Sequence, residues 1–410
     1  MDVLIVGGGM ITADVFLPSL YELQRQGRVG ELTICARSPV PLRALAGDAT
    51  LKAAFPGQTF AAYPALNAPD ATFEPDASRR CIEALKPRQL VVVAVPDEAH
   101  HEVVMMALRA DQHVLCVKPL VQTHAHALEI EALARQRGLF VGVEYHKRFD
   151  RRSLVARGDY RAGRFGEFAM GEACLIEPWF YRRSNFQNWF QPATADPFTY
   201  IGCHYVDLVH FITGLKPVEV SVAAVERKFP NGKPGLMWTG ARVRWENGAL
   251  LNLLNGLGYP DLAAGSNDQG LVMYCEGEGR TGMIRHDDHN RGVSLAYLDG
   301  IGPGGSHFNY VSPDFFRLVE RDGGGRRPLG YGFESVEALV AAAARVEASS
   351  DRQAELRALD ASGLLATPSN SAFNELVVEA ARGSLTQDGL PWRVEYGASP
   401  RVSPVAQRRP

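Results

Sequence analysis

Short apolar runs alternate with amphipathic stretches along the first part of the chain. VLIV at Val3–Val6, LTICA at Leu32–Ala36, TFAAY at Thr59–Tyr63, LVVVAV at Leu90–Val95, HVLCV at His113–Val117 and FVGV at Phe140–Val143 read as strands. Runs with little polar alternation fit a sheet covered on both faces. Between them, ADVFLPSLYELQRQG and HHEVVMMALRAD carry helical spacing. Six strands with crossover helices make a complete doubly wound dinucleotide-binding domain over residues 1–145.

After Tyr145 the pattern changes. EVSVAAVERKF, WTGARVRWENGALLNLLNG and LVMYCEGEG alternate as antiparallel strands do when one face is covered. Gly300–Gly305 and Gly323–Gly325 are expected loops. Helical patterns return at Ser335–Ala348, Asp351–Asp360 and Ala372–Gly383, and Trp392–Tyr396 closes as a strand. The fold class is therefore α/β: an N-terminal doubly wound domain, then an α+β domain over 146–396 with a large, open, mainly antiparallel sheet. Residues 397–410, GASPRVSPVAQRRP, read as a disordered tail.

The chain has 410 residues, 46% hydrophobic and 22% charged, an ordinary globular composition that suits two domains. A net charge of −3 leaves no basic footprint for nucleic acid or an anionic membrane. No apolar run is long enough to span a bilayer. The glycines of DVLIVGGGM interrupt the first apolar run too early for a signal peptide. Six cysteines are scattered, with neither metal-ligand nor redox-pair spacing, which points to reduced thiols and a cytoplasmic location.

Gly7, Gly8 and Gly9 lie between the first strand and the first helix. Gly7 permits the tight turn. Gly9 lets the backbone approach a pyrophosphate, and the helix start at Met10 and Ile11 offers N–H groups and a positive dipole. The third fingerprint position is Thr12 rather than Gly or Ala. The second strand ends TICARS, with Ala36 where an NAD site usually carries an acid, so Arg37 and Ser38 favour NADP(H) over NAD(H) by their fit to a 2′-phosphate. A solvated arginine beside a promiscuous pocket is the alternative. Pro96 ends the fourth strand at the carboxyl edge. Asp97 and His100 follow, either as contacts to the nicotinamide half of the cofactor or, for Asp97, as a helix cap.

Lys118 ends the fifth strand directly, with Pro119 stopping further pairing. Its ammonium is therefore expected on the edge that carries the glycine turn, partly desolvated and able to share or transfer a proton. A solvated end-charge suits the other edge of such a sheet.

With these residues in view, the chain resembles the glucose–fructose oxidoreductase / inositol dehydrogenase / MocA (Gfo/Idh/MocA) family. VGGGM, VAVPDEAHHEV, VLCVKPLVQT, VGVEYHKRFD, YIGCHYVDLVHFITG and NELVVEAARGSLTQDG carry the resemblance, in order, over nearly the whole chain. It implies a catalytic Lys118, although Val117 stands where the family usually has Glu. It also implies that the helix of TYIGCHYVDLVHFITG faces the nicotinamide and that His204 is the acid/base beside the lysine. Imidazoles titrate near neutrality, which suits removal of a hydroxyl proton coupled to hydride loss. Asp207, one turn on, would orient the helix or the histidine, or contact substrate. Tyr200 replaces the aspartate of inositol-dehydrogenase-like members and could donate to a substrate oxygen or act as the acid.

His146 and Lys147 sit where the family often contacts substrate, while Arg148 and Asp150 read as a structural pair. EPWFYRRSNFQNWFQPATADPF supplies Trp179, Tyr181, Arg182, Arg183, Asn188 and Trp189, a composition that fits a sugar site or an interface loop. The resemblance thus implies hydride transfer between NAD(P) and a secondary alcohol or ketone of a small, sugar-like substrate, in a homo-oligomer (dimer or tetramer) built through the open sheet face. Two other readings are a redox-neutral, NAD-dependent glycoside-cleaving enzyme and a non-catalytic dinucleotide-binding protein. The second gives no use to the lysine and histidine.

Overall fold

The computed structural model describes residues 1–263, 267–287, 293–298 and 306–406. The chain forms two compact units. The first comprises Met1–Val121, Ala125–Phe149 and Phe315–Ala372, the second Gln122–His124, Asp150–Asp314 and Phe373–Pro410.

The first unit is built on six strands: β1 (Val3–Val6), β2 (Leu32–Cys35), β3 (Ala61–Tyr63), β4 (Leu90–Val93), β5 (His113–Val117) and β6 (Val141–Glu144). All pair in parallel in the order β3-β2-β1-β4-β5-β6. Each falls within two residues of the run expected from sequence. β1 and β4 are buried throughout, as central strands with helices on both faces must be. The order reverses between β1 and β4, and that reversal opens a crevice at their carboxyl ends where ligands of such sheets bind.

A single cut at residue 145 does not describe this unit. Val336, Leu339, Val340, Ala343 and Val346, on the helix Tyr331–Ala348, enter the same apolar core as Val3, Ile5 and Leu90. Gly142 of β6 is small because this helix presses on it: a Cβ there would stand 2.5 Å from Leu339 Cδ2. The helix Arg352–Ser362 and a hairpin of Arg317–Glu320 with Arg326–Leu329 complete the unit, the hairpin turning through Gly323, Gly324 and Gly325 at positive φ.

The second unit carries β7 (Glu167–Pro178), β8 (Pro217–Lys228), β9 (Pro234–Trp245), β10 (Leu250–Tyr259), β11 (Asp268–Gly277) and β12 (Arg280–Asp287). They run β12-β11-β7-β10-β9-β8, extended by Trp392–Glu395 and Arg401–Pro404. Every pairing is antiparallel except β7 with β10. One face alternates into a core: Leu251, Leu253 and Leu257 of β10 are buried, whereas Leu254 is 47% exposed. On the covered side, Ser384 of the helix Phe373–Leu385 accepts at Oγ from the Val222 N–H (2.8 Å).

One expectation needs revision. Arg401–Pro404, placed in the disordered tail, forms a strand in register with Trp392–Glu395. The six cysteines are thiols rather than disulfides, as expected. Cys35 and Cys81, distant in sequence, are neighbours, which pushes Cys81 down and Cys35 up from the ordinary thiol range. The expected loop Gly300–Gly305 and the last four residues lie outside the described residues.

Candidate active site

The glycine turn follows β1 directly. Gly7 sits at φ +114°, and a Cβ there would stand 2.0 Å from Ala94 O, so the end of β4 leaves room for hydrogen only. Gly9 is the opposite case, with nothing of the protein within 4 Å of where its Cβ would be. The open space there, beside the first turn of a helix whose leading N–H groups have no intrahelical partner, leaves room for a pyrophosphate to approach the backbone. Thr12 is buried and donates from Oγ1 to Gly7 O (2.8 Å). The departure from the glycine fingerprint therefore fastens the turn. Met10 and Ile11 form the start of this helix.

At the end of β2, Arg37 is exposed and has no ion pair among the described residues. Ser38 caps the helix Pro39–Gly47, its Oγ accepting from Val40 N–H at 3.2 Å. The hydroxyl proton is left to point away from the helix.

Lys118 is half-buried at the end of β5, on the edge that carries Gly7 and Pro96. Asp97 is buried, in the turn Asp97–Ala99. The next helix takes Ala99 as its N-cap without a side-chain cap, so Asp97 does not serve as that cap. His100 departs from the expected cofactor contact. Its ring is fully buried, with Nδ1 2.9 Å from Pro119 O and 3.2 Å from Leu120 O, and Nε2 2.9 Å from Val95 O. The imidazole ties the loop just after Lys118 to the end of β4, and so acts on a ligand only through that lysine's placement.

His146 and Lys147 also belong to the first unit. His146 Nδ1 lies 3.1 Å from Glu144 Oε2, and its ring packs on Phe315 and Tyr331. Lys147 and Arg148 are buried, Arg148 lying 5.9 Å from the Tyr145 ring centre. In the second unit, Asp150 binds the Arg152 guanidinium and lies 3.2 Å from His286 Nε2.

His204 lies in the second unit. The segment Phe198–Gly202 winds as a π-turn and runs into the helix Cys203–Thr213, so Tyr200, His204 and Asp207 share one element. His204 is 5% exposed and Asp207 1%. Asp207 Oδ1 accepts from Asn374 Nδ2 (3.1 Å), which makes it an anchor to the helix Phe373–Leu385. Tyr200 is half-buried, edge-on to Phe186 (5.2 Å), Trp189 (5.7 Å) and Phe190 (5.8 Å). The Tyr181 ring packs, tilted, on Phe186 in turn (5.1 Å). Tyr181 and Trp189, both expected from sequence, thus join one patch with Tyr200.

Sequence reasoning missed Asn255. It is fully buried on β10, and a Cβ on Gly202 would stand 2.5 Å from its Oδ1. Neither amide atom has a hydrogen bond among the described residues. This buried amide packs against the turn that starts the His204 helix, and nothing in LLNLLNG distinguishes this asparagine from Asn252 beforehand.

Residues 1–145 match the model of the oxidoreductase family with an NAD-binding Rossmann fold. An uncharacterized oxidoreductase of Schizosaccharomyces pombe is 30% identical over 142 residues, 35% of this chain and 38% of that protein. The D-glucoside 3-dehydrogenase of Escherichia coli is 28% identical over 149 residues, 35% of this chain and 41% of that enzyme. Both matches thus span under half of the relatives' length. Among solved structures, the scyllo-inositol dehydrogenase of Lactobacillus casei with bound NAD(H) and scyllo-inositol superposes with a TM-score of 0.61 at 15% identity, covering 96% of this chain and 98% of that one. That likeness extends the shared fold to both units. Residues 1–145, with the glycine turn and the strand-end lysine in place, thus match the N-terminal domain of the Gfo/Idh/MocA oxidoreductase family.

Proposed function

We propose that the protein moves a hydride between NAD(P) and a secondary alcohol or ketone carbon of a sugar, cyclitol or glycoside. The observation that carries this reading is Lys118 at the carboxyl end of β5, on the same sheet edge as the glycine turn. A bound nicotinamide supplies the hydride chemistry. In this proposal Lys118 hydrogen-bonds the reacting oxygen and His204 takes or returns its proton, as a lysine and an imidazole can. Tyr200 donates to a second substrate oxygen. His146, Lys147, Tyr181, Arg182 and Trp189 are the proposed substrate contacts, and Asp207 positions the His204 helix through Asn374. Arg37 and the Ser38 hydroxyl give NADP(H) preference over NAD(H). The open sheet face, with Met170, Leu254, Tyr274 and Met283 each at least 41% exposed, is proposed to join copies into a homo-oligomer.

Calorimetric titration with NADPH and NADH, after a check for cofactor that copurifies, tests the first half. Arg37→Ala is expected to weaken NADPH about tenfold or more, as loss of a charge-assisted contact does, and NADH little. Equal loss for both removes the preference. Lys118→Ala and His204→Ala are expected to abolish turnover of sugar and cyclitol substrates while cofactor affinity stays near wild type. An active double variant overturns the catalytic assignment. Sugar released from a glycoside with no net change in cofactor points to redox-neutral cleavage instead.

A further inference from the structure

At one end of the aromatic patch lie three arginines that form no ion pair among the described residues. Arg182 is half-buried on the turn Trp179–Arg183, its guanidinium 6.0 Å from the Trp179 ring centre and its Nε donating to Leu257 O. Arg183 lies over the same indole at 4.5 Å. Arg227, exposed on β8, is close enough to Arg182 to act on it electrostatically. Its Nη1 donates only to Glu226 O, a backbone carbonyl. Among the described residues none of the three has a carboxylate within ion-pair distance. Asp261, which follows β10, accepts at its carboxylate from Phe180 N–H of this turn (2.7 Å).

Arginines in a chain of net charge −3 have acids to choose from, and several in this fold use them, as Arg152 uses Asp150. Here burial, then repulsion from Arg227, pushes the Arg182 guanidinium down from its ordinary range. A half-desolvated cation beside a second cation is unfavourable in the free protein and becomes favourable when an anion arrives, because guanidinium–oxyanion bonds are strongest where water is scarce. The neighbouring surface limits what carries that anion. Arg182 continues directly from Tyr181, which packs on Phe186, which meets Tyr200 four residues before His204. Aromatic faces of this kind take the C–H faces of a sugar ring.

We propose that the substrate is an anionic sugar, a sugar acid or a sugar phosphate, whose charged group is held by Arg182 and Arg183 with Arg227 behind them. This deepens the reading of the enzyme as a sugar oxidoreductase and rests on it. The ring would lie along the Tyr181–Tyr200 patch, with the reacting hydroxyl towards His204.

Equilibrium binding to the full chain, with D-glucose, D-glucuronate and D-glucose 6-phosphate at matched ionic strength, tests this. At least one of the two anions is expected to bind about tenfold or more tightly than glucose, the gain from a charge-assisted contact. Which one binds decides between carboxylate and phosphate. Arg183→Gln with Arg227→Gln changes exposed side chains only and should remove most of the preference. Arg182→Gln should remove the rest. Glucose binding as well as either anion, no saturation by either anion, or a preference that survives the arginine variants overturns the proposal. Lys118→Ala separates it from the parent reading. That variant should keep the preference for anion over glucose, since Lys118 meets an oxygen common to both. Anion binding without redox turnover in the wild type sinks the oxidoreductase reading alone, whereas efficient turnover of neutral sugars sinks this one alone.

Discussion

Gly7 and Gly9 are two residues apart, yet a methyl group on each meets different surroundings. At Gly7 it meets the Ala94 carbonyl at 2.0 Å on a backbone at positive φ, so the turn cannot form unchanged. Gly7→Ala is expected to lower the melting temperature, with strain of roughly 1–3 kcal/mol or more, and to weaken cofactor as a consequence. At Gly9 the methyl meets no protein atom. Gly9→Ala should melt as wild type and still lose cofactor affinity, because the lost volume belongs to the ligand. Thermal melts and cofactor titrations of the two variants check this, and a Gly9→Ala protein that binds normally would place the pyrophosphate elsewhere. Both glycines were legible in VGGGM because their constraint is local. The place of His100 was not: its three carbonyl neighbours come from two different loops, and VPDEAHHEV holds only one of them. Cys35 and Cys81 are the same lesson, 46 positions apart and in contact.

Among the elements, the parallel strands were the most legible. A strand buried on both faces has to be apolar throughout, and Gly or Pro marks its ends, so VLIV and LVVVAV needed no partner to be recognised. The strand Arg401–Pro404 needed one. RVSP has no alternation of its own and becomes a strand only because Trp392–Glu395 offers an edge. The His204 helix lies between these cases. Its periodicity was plain, but what anchors it was not, since Asn374 is 167 residues from Asp207. Asn374→Leu takes that donor from a carboxylate that is 1% exposed, at a cost of about 1–3 kcal/mol. A lowered melting temperature and a lowered kcat are expected, with cofactor affinity near wild type. A variant that melts as wild type would remove Asp207 from the role of anchor.

For the molecule as a whole, the open face of the second sheet and the acid response are separate questions. Tyr274→Arg puts a charge among the exposed apolar residues and should shift the protein to monomer by light scattering, if that face joins copies. The acid response follows from the two units holding different groups. In the first, His113 is fully buried. Phe140 N–H donates to its Nδ1 (3.0 Å), which leaves the ring proton on Nε2 facing Glu347 at 3.4 Å, with Arg88 and Arg352 nearby. Burial is the largest cause that lowers its pKa, from 6.5 to about 4. The unfolded chain therefore binds a proton that the folded one refuses between those values. Stability is full above about pH 6.5 and falls as pH drops towards 4, by on the order of 3 kcal/mol. In the second unit, His286 and Arg152 hold the Asp150 carboxyl well below the usual carboxylate range, against its burial. Its contribution is present above the ordinary carboxylate pKa and is lost only as pH falls below it. Asp14 of the first unit works the other way across the same window, since burial and then Asp48 raise its carboxyl to about 6 and the folded chain gains a proton there. Calorimetry from pH 7 to pH 4 on wild type and His113→Gln isolates the histidine: the wild type should lose more melting temperature across that window than the variant does. An unchanged slope in that variant would assign the acid sensitivity to groups other than the buried histidine.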